Sequence, residues 1–162
     1  MTVVRHQGGW VIVLSIVAGF LLMVLPLPTW MQQGRPDWTA LILIYWVLAL
    51  PQRVGVGVAW LAGAFQDALL GTLLGAHALA FAVVAYLTLK LHQRIRVFPL
   101  WQQAFSVLVL LLLIRLVLFW INGLIGRPEA DWGFWTPAVV GTLVWPVVFV
   151  LLREIRRRYR VQ

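Results

Sequence analysis

A bundle of six membrane-spanning helices is the fold this sequence predicts, and three observations predict it. First, 62% of the 162 residues are hydrophobic and only 11% are charged, with a mean hydropathy of +0.92. Soluble domains carry about 45–50% apolar and about 25% charged residues, so the balance is that of an integral membrane protein. Second, the apolar residues fall into six runs of roughly span length, divided by short polar, Pro- or Gly-marked connections. Third, basic residues gather in alternate connections, as a chain threaded back and forth through a bilayer requires. At about 20 residues per span, no length is left for a separate soluble domain. Residues 1–162 therefore read as one multi-pass membrane domain.

The first span is expected at about 10–27, after Arg5 and His6. Its length, its Pro26-Leu27-Pro28 end and the lack of a small-residue cleavage site argue for an uncleaved helix rather than a signal peptide. The second span, about 36–50, opens at Pro36-Asp37, where a missing N–H is harmless and a negative charge meets the helix dipole. Pro51-Gln52-Arg53 ends it. The third span, about 54–72, turns near Gly71 to Gly75 into an Ala-rich fourth, about 76–91. Lys90, His92, Arg94 and Arg96 then form a basic linker to Pro99, followed by a Leu-rich fifth span, about 100–121. The longest polar connection precedes the sixth span, about 136–152.

With the N-terminus inside, the inner segments hold Arg5, Arg53, Lys90, Arg94, Arg96 and the tail arginines Arg153, Arg156, Arg157, Arg158 and Arg160. Outer segments hold only Arg35 and Arg127, beside Asp37, Glu129 and Asp131. This positive-inside bias places both termini in the cytoplasm. It also accounts for the formal net charge of +8 without nucleic acid. The absence of cysteine excludes disulfides and thiolate chemistry.

The third span carries a small residue or an acid at every fourth position: Gly55, Ala59, Gly63, Asp67, Gly71 and Gly75. Positions four apart share a helix face, so these form a side-chain-poor stripe suited to close helix packing or to a partner helix. Asp67 is an ionisable group in an apolar stretch, costing about 3 kcal/mol on insertion scales, and must face protein or water. Asp67 and Arg115 lie at similar depth, each about 20 Å into its span at 1.5 Å per residue. An ion pair between them, joined by His77 into an outward polar cluster, is one reading. A snorkelling Arg115 with Asp67 bonded to the nearby turn is the other.

Catalysis has little support. Ser15 and Ser106 sit in apolar helices, and His6, His77 and His92 fall in separate segments without metal-ligand spacing. No carboxylates pair on one face, and no phosphate-binding glycine loop is present. No cofactor is implied. The terminal arginines fit attraction to anionic lipid, at about 1 kcal/mol per basic residue near the surface, or docking of a cytoplasmic protein. Trp10, Trp30, Trp38, Trp101, Trp132 and Trp135 lie near span ends, as in an interfacial aromatic belt, whereas Trp46, Trp60, Trp120 and Trp145 lie deeper. Arg35-Pro36-Asp37-Trp38 has a faint echo in Arg127-Pro128-Glu129-Ala130-Asp131-Trp132, better read as a recurring proline-started helix than as a repeat.

The run RPDWTALILIYWVLALPQRVGVGVAWLAGAFQDALLGTLLGAHALAFAVVAYL, with LWQQ at Leu100 to Gln103 and the ending LVWPVVFVLLREIRRRY, resembles the MreD family of rod shape-determining proteins. The core of the resemblance is Arg35, Pro36, Asp37 and Trp38, then the turn with Pro51 and Arg53, then the Gly-Asp stripe. The resemblance implies a non-enzymatic subunit of the bacterial inner-membrane cell-elongation machinery. It implies association with the single-span protein MreC and, through it, a link between MreB filaments and a peptidoglycan synthase. That synthase comprises a SEDS glycosyltransferase and a penicillin-binding transpeptidase. The resemblance further implies a fold similar to the S components of energy-coupling-factor transporters. A competing expectation is therefore a small-molecule-binding transporter subunit, with its pocket at Asp67, Arg115 and His77. An ion-conducting bundle is a third.

Overall fold

The computed structural model describes residues 8–32, 34–127 and 131–161. Arg5, His6, Gln33 and the Pro128-Glu129-Ala130 part of the connection between the fifth and sixth expected spans lie outside the described residues. The helices are α1 (Gly9–Val24), a single turn α2 (Thr29–Gln32), α3 (Trp38–Ala49), α4 (Val56–Leu70), α5 (Ala76–Val97), α6 (Leu100–Leu124) and α7 (Thr136–Arg158). A 3₁₀ turn, Trp132–Phe134, leads into α7. No strand occurs among the described residues. The segments Leu100–Leu124 and Trp132–Arg158 are long and apolar enough to cross a membrane, while α1, α3 and α4 are apolar but shorter. Large apolar side chains such as Leu14, Leu61, Phe65, Leu143 and Val147 stand exposed. So much outward-facing hydrocarbon is consistent with a helical membrane protein.

Local chemistry sets the helix ends. Pro36 and Asp37 start α3, with the Asp37 carboxylate accepting from the Ala40 N–H at 3.2 Å. Pro51 then follows its end, where the N–H groups of Arg53 and Val54 turn back onto the Leu50 carbonyl at 3.0 and 3.1 Å. Gly71, at φ +70°, is the left-handed residue closing α4, and Gly75, at φ +105°, precedes α5. The sequence differs most from the structure at the basic segments. The expected linker from Lys90 to Arg96 is helical, because α5 continues to Val97 and stops only ahead of Pro99. In the same way α7 carries the C-terminal arginines as helix through Arg158. Straight-chain cationic residues are good helix formers, and their charges suit a helix C-terminus.

The core is built around α3. Every residue from Thr39 to Leu48 is buried, so this helix has no outward face. α1, α5 and α7 pack around it; α4 forms a tight hairpin with α5, and α6 closes the circle between α5 and α7. Two buried indoles tie helices together. Trp46 donates to Ser15 Oγ on α1 at 2.7 Å, and Trp145 donates from α7 to Gln103 Oε1 on α6 at 3.2 Å. By contrast Trp60 and Trp120 are exposed, as are Trp10, Trp30, Trp101 and Trp132. The two ends of the described chain meet: Gly8 abuts Val161, and the Trp10 and Tyr159 rings cross edge-on at 5.3 Å.

Candidate functional site

Two consecutive residues of α4, Gln66 and Asp67, are fully buried and reach to the starts of two different helices. Asp67 bonds α5. Its carboxylate accepts from the Gly75 N–H at 3.0 Å, from the His77 N–H at 3.0 and 3.1 Å, and from the Thr72 hydroxyl at 2.7 Å. His77 Nδ1 lies 2.7 Å from the same carboxylate. An ionised carboxylate only accepts, so Nδ1 carries the proton and donates. Asp67 thus sits where the unpaired first-turn amides and the positive end of the α5 dipole favour an anion. This is the turn-bonded arrangement, one of the two readings open from sequence.

Close packing makes this contact reachable. A Cβ built on Gly63 would fall 2.4 Å from the His77 carbonyl oxygen and 2.6 Å from Ala78 Cα. No side chain fits between α4 and α5 there. Ala59, one turn earlier on the same face, is also buried, so this part of the stripe is covered by the chain itself. Gly71 and Gly75 do not extend the stripe, because they form the turn, and Gly55 is the residue before α4 begins.

Gln66 points to α3 instead. Its Nε2 lies 3.4 and 3.5 Å from the two oxygens of Asp37, which is itself the α3 cap. Its Oε1, with Thr39 Oγ1 and Arg35 Nε, is buried without a hydrogen-bond partner. Arg35 folds back onto α1, donating from Nη1 to the Met23 carbonyl and from Nη2 to the Leu25 carbonyl. It thereby satisfies carbonyls that the helix end leaves open. The Arg35-Pro36-Asp37 sequence is therefore a joint: Arg35 closes α1, Pro36 and Asp37 open α3, and Asp37 receives α4. Trp38 begins α3 half-buried.

Arg115 belongs beside this joint. It lines a small cavity with Asp37, Leu111, Ile114, Pro137 and Ala138, and its guanidinium lies 5.1 Å from the centre of the Phe134 ring. That cavity holds about 10 Å³, enough for one water. At the opposite end of the bundle Arg53, after Pro51, lies against the start of α1, where a Cβ on Gly9 would fall 2.7 Å from Nη2. Sequence reasoning passed over Gln66 and Thr72. The signal for Gln66 was an uncharged polar side chain immediately before Asp67 in an otherwise apolar helix.

No group of three or more potential metal ligands occurs among the described residues. What the arrangement does is mechanical: the two carboxylates tie α4 to the starts of α3 and α5, and Arg35 holds the end of α1 beside them.

A family model described as rod shape-determining protein MreD matches residues 4–155. The rod shape-determining protein MreD of Haemophilus influenzae is 35% identical over 153 residues, covering 94% of each chain. No solved structure matches the chain.

Proposed function

The chain belongs to the MreD family of rod shape-determining proteins, and from that membership we propose that it is a non-enzymatic scaffold of the cell-elongation complex. Family membership itself gives a role in determining rod shape. In the proposed reading the protein crosses the bacterial inner membrane six times with both ends in the cytoplasm. It binds MreC directly and so links MreB filaments to the SEDS glycosyltransferase and its penicillin-binding transpeptidase.

The observation that favours a scaffold over a ligand-binding subunit is the commitment of Asp37 and Asp67 to helix ends. Both acids are buried and serve as acceptors for backbone or side-chain donors of this chain. The cavity beside Arg115 and Asp37 is water-sized. A transporter subunit with its pocket at this end of the bundle needs polar space there that can be vacated and filled. The meeting of Gly8 with Val161 supports an even number of crossings, since it brings both ends of the described chain together.

Co-purification from cells in mild detergent, followed by mass spectrometry, tests the reading. Stoichiometric MreC is the expected companion. Recovery of an ATPase with a coupling membrane subunit, and no MreC, would replace the scaffold with the transporter reading.

A further inference from the structure

At the end of the bundle opposite Asp37 and Asp67, the C-terminal parts of α3, α5 and α7 meet the start of α6 around a second cavity. It is an open cleft of about 310 Å³, lined by Tyr45, Arg96, Gln103, Arg153 and Arg156 above an apolar floor of Leu48, Ala49 and Phe149, with Arg96 and Arg153 exposed at its rim. We propose that this cavity binds a phosphate-bearing anion, held by Arg96, Arg153 and Arg156 and by the Tyr45 hydroxyl.

Four observations carry this. Three guanidiniums from two helices converge on one space, although like charges gathered without an anion repel one another. None of the three has a hydrogen-bond or ion-pair partner among the described residues. Tyr45 is only 2% exposed as a residue, and its hydroxyl, which makes no hydrogen bond to the described residues, is not sealed off but opens on the cavity. It can donate to an incoming anion without giving up a partner in the protein. No acidic side chain lines the space to compete with an incoming anion. Arginine presents a planar fork of donors that matches phosphate oxygens, which makes the donor set specific in kind.

The walls are also fixed. Gln103 donates to the Ile95 carbonyl at 3.3 Å and accepts from Trp145 at 3.2 Å, so it braces α5 and α7 without using the arginines. Glu154, the acid nearest in sequence, lines a different space with Trp10, Arg158 and Tyr159. The site is thus distinct from general attraction between a basic tail and a charged surface. An apolar floor beneath a cationic rim suits the headgroup of an anionic phospholipid, and the same donors suit a free phosphate or pyrophosphate. The inference is independent of the scaffold assignment.

The test uses the purified full-length chain and three variants: Arg96→Gln/Arg153→Gln/Arg156→Gln, Tyr45→Phe, and a control Arg157→Gln/Arg158→Gln outside the cavity. Phosphatidylglycerol retained against phosphatidylcholine is measured by native mass spectrometry. Stabilisation by inorganic phosphate and pyrophosphate, against chloride at equal ionic strength, is measured by thermal shift. Retention of the anionic lipid is expected to fall about tenfold in the triple variant, a loss on the scale of one charge-assisted contact. A smaller fall is expected in Tyr45→Phe and none in the control. Stabilisation by the soluble anions with the same variant pattern, without selective lipid retention, would assign the phosphate to a soluble ligand. Equal losses in the control, or no selective binding of either probe, would overturn the proposal. If the triple variant does not fold, Tyr45→Phe decides alone, because it removes one oxygen and keeps the ring packing.

Discussion

Asp67 and His77 are joined twice, once through the His77 backbone N–H and once through the ring Nδ1 at 2.7 Å, across the turn between α4 and α5. Removing the carboxylate therefore strands a ring donor and first-turn amides together. Asp67→Ala is expected to cost about 2–4 kcal/mol, from at least two lost buried hydrogen bonds to a charged group. His77→Phe keeps the backbone bonds and should cost less than half of that. Thermal denaturation of the purified variants in detergent measures both. Equal losses would mean that the ring, not the helix start, carries the contact.

Gly63 and Gly57 occupy the same helix and should respond in opposite directions. A methyl on Gly63 would enter the His77 backbone, whereas nothing lies within 4 Å of a Cβ on Gly57. Gly63→Ala is expected to destabilise by about 1–3 kcal/mol through overpacking. Gly57→Ala should be neutral or stabilising by up to about 1 kcal/mol, since alanine is the better helix former. Melting temperatures of the two variants in one detergent give the comparison, and loss of stability in Gly57→Ala would contradict it.

The Gln66 amide faces a carboxylate, so its charge state matters more than its size. Gln66→Glu sets two acids 3.4 to 3.5 Å apart in a buried joint and should strongly destabilise the α3–α4 contact. Gln66→Leu removes one long hydrogen bond and also the unpartnered Oε1, so a change of about 1 kcal/mol or less is expected. Limited proteolysis across the loop after Pro51 would report the difference. A Glu variant as resistant as the parent would show that the contact between residue 66 and Asp37 does not hold α4 against α3.

Arg35 bonds two carbonyls at the end of α1 with two nitrogens of one guanidinium. Lysine offers a single point charge and cannot reproduce that fork. Arg35→Lys is expected to lose about 1 kcal/mol of stability and to complement a cell-shape defect less well than the parent at raised temperature. Cell width in a deletion strain, with membrane protein levels measured in parallel, separates instability from lost association.

Much of this was legible beforehand, for reasons that can be given residue by residue. Asp67 announces itself as an acid in an apolar stretch, and His77 follows ten residues later across a turn that Gly71 and Gly75 mark. The Pro36-Asp37 start of α3 is equally plain. Arg115 was harder, because rise per residue gives depth along a helix but not which neighbour that depth faces. Helices apolar on every side, α3 above all, carry no stripe from which to read rotation. Tyr45 and Arg96 were out of reach for the same reason: they come from different helices, and only packing brings them to one cavity. The basic stretches read as linkers since charge marks a boundary in hydropathy, while the backbone continues as helix through it.

The enclosure of α3 has a consequence in time as well as space. A ribosome delivers this chain from its N-terminus, so α3 emerges when only α1 among its flanking helices exists. The walls contributed by α5 and α7 arrive later, the second of them last among the described helices. Until then the innermost helix of the finished protein is an outermost one, twelve residues long and about 18 Å from end to end. Losing the last helix would accordingly open the centre rather than trim the edge, and a late stop codon should behave as an early one.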